Sequence, residues 1–219
     1  LEGFDVIFRT PGLLPTDPHL VAASEHGATV TSEMEAFFQL CPCRTIGITG
    51  SDGKTTTSSI IAELLKAGGK RVHLGGNIGK PLLTEIPDIH PDDVAVLELS
   101  SFQLHSINIR PDVAVITNVS PNHLDKHPTY EDYIESKKRI FLNQTGDDLL
   151  VLNRDNGITA RFAEEAGSRV VQFSHRETVK NGVFCRDGML YYSHDYAVEA
   201  IIPETEILLP GEHNVENYM

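Results

Sequence analysis

The sequence lacks any run of about 18 apolar residues, so nothing in it reads as a membrane span. Its first residues, LEGFDVIFRTPG, lack the basic and apolar regions of a secretory signal, and the expected compartment is the cytoplasm. Cysteine is scarce. Cys41, Cys43 and Cys185 are too few for a disulfide framework, and Cys41-Pro42-Cys43 has no second pair to complete a structural zinc site. All three are read as plain side chains.

Positive charge is also in short supply. Lys and Arg total 18 against 31 Asp and Glu, a formal net charge of −13, which argues against nucleic acid as the main partner. No internal repeat or low-complexity segment is found. No initiator methionine is present, and the last residues resemble the opening turn of a helix, so the expectation is a piece of a longer protein. The 40% hydrophobic content is ordinary for a globular chain of 219 residues, enough for one large core or two small ones.

What is present is organised around GITGSDGKTTT, residues 47–57. A short apolar run with Ile46 and Ile48 precedes it, and a helical pattern follows. Gly50 and Gly53 let the backbone turn tightly and aim N–H groups at a polyphosphate, with the next helix N-terminus adding positive potential. Lys54 would reach the outer phosphates, and the Thr55 hydroxyl would ligate Mg²⁺. The usual G-x-x-x-x-G-K-[ST] spacing asks for glycine where Ile48 stands, so a flexible strand-to-helix turn is the plain alternative.

Upstream, residues 4–8 read as a strand, 18–25 as a short helix stopped by Gly27, and 28–31 as another strand, with a domain boundary near 41–44. Downstream, Ile60, Ile61, Leu64 and Leu65 recur at helical spacing before Gly68-Gly69. Apolar runs at 72–74, 94–99, 113–117, 149–152 and 170–173 fit a mostly parallel sheet covered by helices on both faces, an α/β fold. From 183 onward, short β-like segments at 183–184, 189–192, 198–202 and 207–209 predict a small appended antiparallel sheet.

Ligands of open α/β sheets sit beyond the carboxyl ends of the strands. Glu98 closes one such strand, where it is either a solvated end or a carboxylate serving Mg²⁺. Beyond the next strand, the loop 118–127 offers His123, Asp125 and His127. His127 suits an ordinary surface histidine, whereas His123 is read as a ligand or phosphate contact. On the helix expected over 130–142, Lys137 has Tyr133, Ile134, Ile140 and Phe141 three and four places away, so it should face inward. Lys138 and Arg139 have fewer such neighbours. An inward lysine requires a partner or a modification, or else snorkels to the surface; both fit the pattern. Asn77 in GGNIG is either part of a turn or an amide presented to a substrate.

Taken together, GITGSDGKTTT, GGNIG, LELSSFQL, NVSPNHLD, SKKRIF and GEHNVEN resemble the Mur ligases, and LELSSFQL with GGNIG resembles their D-glutamate-adding branch. RTPGLLPTDPHL and TSEMEAFF resemble the end of that branch's first domain. The resemblance implies that residues 1–43 end a Rossmann-like UDP-sugar-binding domain, that 44–219 form the central ATP-binding domain, and that a C-terminal domain is missing. The loop spacing at residue 48 is normal in this family.

Further implications of the resemblance concern chemistry: ATP-dependent amide formation through an acyl phosphate, joining D-glutamate to UDP-N-acetylmuramoyl-L-alanine in peptidoglycan synthesis. Carried over by position, Lys54, Glu98, His123 and Lys137 are the catalytic set. Gly50, Ser51, Asp52, Gly53, Lys54, Thr55, Thr56 and Asn217 bind the nucleotide, and Asn77, Ser100 and His123 the substrate. Thr55, Glu98, His123 and Lys137 serve two Mg²⁺ sites, with Lys137 carbamylated. The expected state is a monomer acting on small molecules. The alternatives are another Mur-type ligase, folylpolyglutamate synthetase, or a non-catalytic nucleotide-binding module.

Overall fold

The computed structural model describes residues 1, 3–105, 107–121 and 127–219. In chain order its elements are β1 (Val6–Phe8), α1 (Pro18–Glu25), β2 (Thr29–Thr31), α2 (Glu33–Leu40), β3 (Arg44–Thr49), α3 (Lys54–Ala67), β4 (Val72–Gly76), β5 (Val94–Glu98) and α4 (Ser101–Leu104). There follow β6 (Val113–Ile116), α5 (Tyr130–Lys138), β7 (Leu149–Asn153), α6 (Thr159–Phe162), β8 (Arg169–Ser174), β9 (Gly182–Arg186), β10 (Met189–His194), β11 (Ala197–Pro203) and α7 (Glu212–Tyr218).

Nine strands form one sheet in the order β11-β10-β9-β8-β7-β6-β3-β5-β4, parallel from β4 across to β9 and antiparallel through β10 and β11. Side chains of β5 show how both faces are filled. Val94 and Val96 join Ile48 and Val115 under α3, whose Ile61 and Leu65 pack there, while Ala95 and Leu97 enter the larger core on the other face. That larger core collects Phe37 of α2, Leu104 of α4, Tyr133 of α5, Phe162 of α6, and Ile140 and Phe141 just beyond α5. Every residue of β5 is buried, as a central strand of a parallel sheet must be.

β1 and β2 pair in parallel as a separate two-stranded piece. α2 was not anticipated as a helix. Ser32 caps it through its hydroxyl, which accepts from Glu35 N, and Glu33 and Glu35 occupy its acidic first turn. Met34 and Phe37 on its inner side enter the core built by the residues that follow.

Two expectations for the C-terminal third are corrected. The late strands do not form an appended sheet of their own, because β9 pairs in parallel with β8 and the β9–β10–β11 meander continues the main sheet. Residues 207–209 are not a strand: a 3-10 turn (Glu204–Glu206) follows Pro203, and Leu208 is 90% exposed before Pro210. Three apolar residues in a row, Ile207, Leu208 and Leu209, gave them a β-like look, but none of the described strands pairs with them. α5 also stops at Lys138, earlier than expected, and continues as turns.

Candidate active site

The chain lays β4 and β5 on one side of β3 and then crosses to lay β6 on the other, so the carboxyl ends of these strands frame a crevice. The glycine loop emerges there. Gly50 has φ +155°, and a Cβ on it would collide with the Thr117 hydroxyl, which donates to Asp52 O at 2.6 Å. Gly53 has φ +80°, in the left-handed region, and a Cβ there would strike Asn217 Oδ1. Both positions therefore require glycine. Gly53 N-caps α3 with no side-chain hydrogen bond, which leaves the first-turn N–H groups available to an anion. Asn118 braces the loop from β6: its O accepts from Ser51 N at 2.9 Å and its Oδ1 from Asp52 N at 3.0 Å.

Two ammonium groups meet at one carbonyl. Lys54 Nζ donates to Gly50 O at 3.0 Å and to Ser51 O at 2.9 Å, and Lys137 Nζ donates to Gly50 O at 2.8 Å. Lys137 is only 1% exposed and lies over the Tyr133 ring, 4.5 Å from its centroid. Burial, followed by repulsion from Lys54, pushes its ammonium down to about 7, with Asp52 opposing. Lys54 is also lowered, chiefly by burial and against the pull of Glu98 and Asp52. Thus the inward orientation expected of Lys137 is found, and the amine does not snorkel. Lys138 is largely covered as well, yet its ammonium reaches Glu135 at 2.9 Å and Glu165 at 2.5 Å.

Glu98 is buried at the end of β5 and holds two partners. Thr55 Oγ1 donates to its Oε2 at 2.6 Å and Asn77 Nδ2 to its Oε1 at 2.9 Å, while Asn77 N donates to Glu98 O at 2.8 Å. A hydroxyl and a carboxylate facing each other at the head of α3 are hard oxygen donors of the kind Mg²⁺ takes. Lys137 as a free amine offers no metal ligand while protonated.

Lys54, Lys137, Asn77, Gly50, Ser100 and Ser101 share a cavity of about 640 Å³, closed on another side by Pro11, Gly12 and Leu14. The Ser100 hydroxyl is committed to a capping box with Gln103, at 2.9 Å from Gln103 Oε1. Asn217 lies apart, lining a 150 Å³ hollow with Asp52, Gly53, Asn118 and His213; its Oδ1 accepts from Thr57 Oγ1 at 3.2 Å. Thr56 lies in the first turn of α3. His123 and Asp125 fall outside the described residues.

His127 is not a surface residue. It is 4% exposed, stacks on Phe102 at 5.0 Å, and bridges Asp132 Oδ2 (Nδ1, 2.7 Å) and Ser101 Oγ (Nε2, 3.0 Å). His105 Nε2 approaches the other Asp132 oxygen at 3.0 Å. A turn rich in polar residues gives no sequence sign of this, because Ser101 lies 26 positions away. Tyr133 was anticipated only as an apolar neighbour of Lys137, yet its hydroxyl also pairs with Ser51 Oγ at 2.9 Å, tying α5 to the loop.

Residues 48–219 match the sequence profile of the Mur ligase middle domain. The chain belongs to the Mur ligase family. A UDP-N-acetylmuramoylalanine–D-glutamate ligase of Acetivibrio thermocellus is 51% identical over 219 residues, all of this chain and 47% of the relative. The enzyme of the same name from Ruminiclostridium cellulolyticum is 50% identical over the same span. This Mur ligase chain thus spans about half the length of the curated relatives it matches. A solved UDP-N-acetylmuramoyl-L-alanyl-D-glutamate–2,6-diaminopimelate ligase superposes with a TM-score of 0.64 at 23% identity, over 91% of this chain and 52% of that one, a likeness of fold.

Proposed function

We propose that this Mur ligase chain is the ATP-binding core of an enzyme that joins D-glutamate to UDP-N-acetylmuramoyl-L-alanine. Residues 1–43 are read as the end of the UDP-sugar-binding domain and 44–219 as the central domain. The observation that carries the reading is the meeting of Lys54 and Lys137 on one loop carbonyl beside the Thr55–Glu98 pair, in a cavity that Pro11, Gly12 and Leu14 also line. The 51% identity to a ligase of that name supports the choice of amino acid.

In the proposed reaction the substrate carboxylate oxygen bonds to the γ-phosphorus of ATP, and the bond to the ADP oxygen breaks. The amine of D-glutamate then attacks the acyl carbon and loses a proton, and phosphate departs. Lys54 and the N–H groups of Gly53 and α3 neutralise and orient the phosphates, while Ser51, Asp52 and Thr56 shape the loop. Thr55 and Glu98 would hold Mg²⁺, which supplies charge neutralisation when bound. Asn77 and Ser100 face the substrate, and Asn217 the nucleotide.

Lys137 and His123 are assigned to a second Mg²⁺, with Lys137 as its carbamate. An ammonium lowered to about 7 is substantially neutral near pH 7, and the neutral amine is the form that adds CO₂. In that step an N–C bond forms and one proton leaves to solvent. The product is an acidic, carboxylate-like ligand at a site that disfavours positive charge.

Substituting Lys54 tests the reading. In a full-length ligase carrying this chain, K54A is expected to lower kcat for D-glutamate addition by at least about 100-fold, the scale set by losing a preorganised charge in an active site. Normal turnover in that variant would overturn it. Product analysis with each candidate amino acid separates D-glutamate addition from other Mur-type ligations.

A further inference from the structure

Away from the phosphate loop, a second set of donors converges beside the antiparallel edge of the sheet. His175 directly follows β8, Cys185 lies in β9, and Glu204 opens the 3-10 turn after β11. Three segments separated in sequence thus bring an imidazole, a thiol and a carboxylate to one point. His175 Nε2 and Cys185 Sγ each lie 2.7 Å from Glu204 Oε1, and one donor atom from each residue falls within 4.8 Å of the others.

The surroundings are those of a metal site rather than of three chance neighbours. The second ring nitrogen of His175 faces Glu212 Oε1 at 3.3 Å, the arrangement in which an outer carboxylate fixes the tautomer and aim of a ligating imidazole. A hollow of about 410 Å³, lined by His175, Glu204 and Glu212, opens on the cluster and gives entry and room for a water as fourth ligand.

We propose that His175, Cys185 and Glu204 form a binding site for a thiophilic divalent cation of the Zn²⁺ type, with Glu212 orienting His175. A sulfur, nitrogen and oxygen set suits Zn²⁺ or Co²⁺ and disfavours Mg²⁺, which keeps this site chemically separate from Thr55 and Glu98. Binding exchanges the thiol proton for the cation: the sulfur–metal bond forms, the proton leaves to solvent, and no electron moves. The bound ion would tie β8, β9 and the turn after β11 to one another, and through Glu212 to the start of α7, the helix that carries Asn217 to the loop.

The test is Co²⁺ titration of a full-length ligase carrying this chain under thiol-free reducing conditions, reading the thiolate-to-cobalt charge-transfer absorption, followed by displacement with Zn²⁺. One equivalent should produce the band, and Zn²⁺ should abolish it. C185S should lose the band and H175Q should weaken binding at least tenfold. E212Q should weaken it about 10- to 100-fold, the scale for an outer partner of a ligating histidine. The double variant C41S/C43S should keep it. Each variant's circular dichroism and Tm are recorded, and Zn²⁺ should raise the Tm of the unaltered enzyme more than that of H175Q, so the proposal stays testable if C185S fails to fold; equal rises would overturn it. Absence of a thiolate band, its survival in C185S, or its loss in C41S/C43S would each overturn the site.

Discussion

The pairing of Lys137 with a carbonyl instead of a carboxylate gives it a measurable signature. Unfolded, its amine holds a proton up to about 10.5; folded, it releases that proton at about 7. Between those values the unfolded chain binds more protons, so raising the pH stabilises the folded state, and below about 7 the full cost of the buried cation is felt. The cost is of the order of 5 kcal/mol at 1.36 kcal/mol per pH unit. K137M removes it. Denaturant titrations in CO₂-free buffer should show the stability of the unaltered chain gaining on that of K137M from about pH 7 to 10.5, and parallel pH profiles would refute the assignment. At this scale the sequence was legible where a helical face sets the environment. Tyr133, Ile134, Ile140 and Phe141 marked Lys137 as inward, and it is. It was illegible where the environment comes from remote chain: His127 owes its burial to Phe102 and Ser101, and Cys185 its company to His175 and Glu204.

Elements place these residues, and their ends matter most. The turn between β3 and α3 depends on Gly50, whose φ of +155° few side chains adopt and whose missing Cβ makes room for the Thr117 hydroxyl on β6's continuation. G50A should cost roughly 1–3 kcal/mol from backbone strain alone. At 2–4 °C per kcal/mol for a chain of this size, the Tm should fall by about 2–12 °C. G50A/T117A, which removes the colliding hydroxyl, should recover part of the loss by differential scanning calorimetry; an unchanged Tm in G50A would show that the loop relaxes freely. Strands and α1 were readable from apolar runs and from glycine and proline punctuation, with α1 found over the span expected. α2 was missed because its eight residues are short for periodicity and its signal is a Ser32 cap followed by acidic residues. Residues 207–209 show the reverse error, a β-like composition without a neighbouring strand.

For the molecule as a whole, the parallel sheet puts the proposed nucleotide machinery at one set of strand ends, and the 640 Å³ cavity takes its far wall from Pro11, Gly12 and Leu14, ahead of the central sheet. A cavity finished by a separate β1–β2 piece fits a division of labour between parts of a longer ligase. The 219-residue chain alone is therefore expected to bind Mg·ATP weakly by calorimetry and to form no amide bond. Detectable D-glutamate addition by the chain alone would refute that reading. The α/β architecture and the loop's place in it were legible throughout, because strands buried on both faces, as β5 is, leave continuous apolar runs in the sequence. The merging of the late strands into the main sheet was not, since pairing partners leave no such mark.

One consequence of the shared Gly50 oxygen remains. Two cations crowd a single acceptor and repel each other, so a fall in the charge of either loosens that contest and leaves the other with sole claim to the anchor. On the proposed reading, chemistry at Lys137 would be transmitted to Lys54 through one backbone atom, and the grip on an incoming triphosphate would become sensitive to dissolved carbon dioxide.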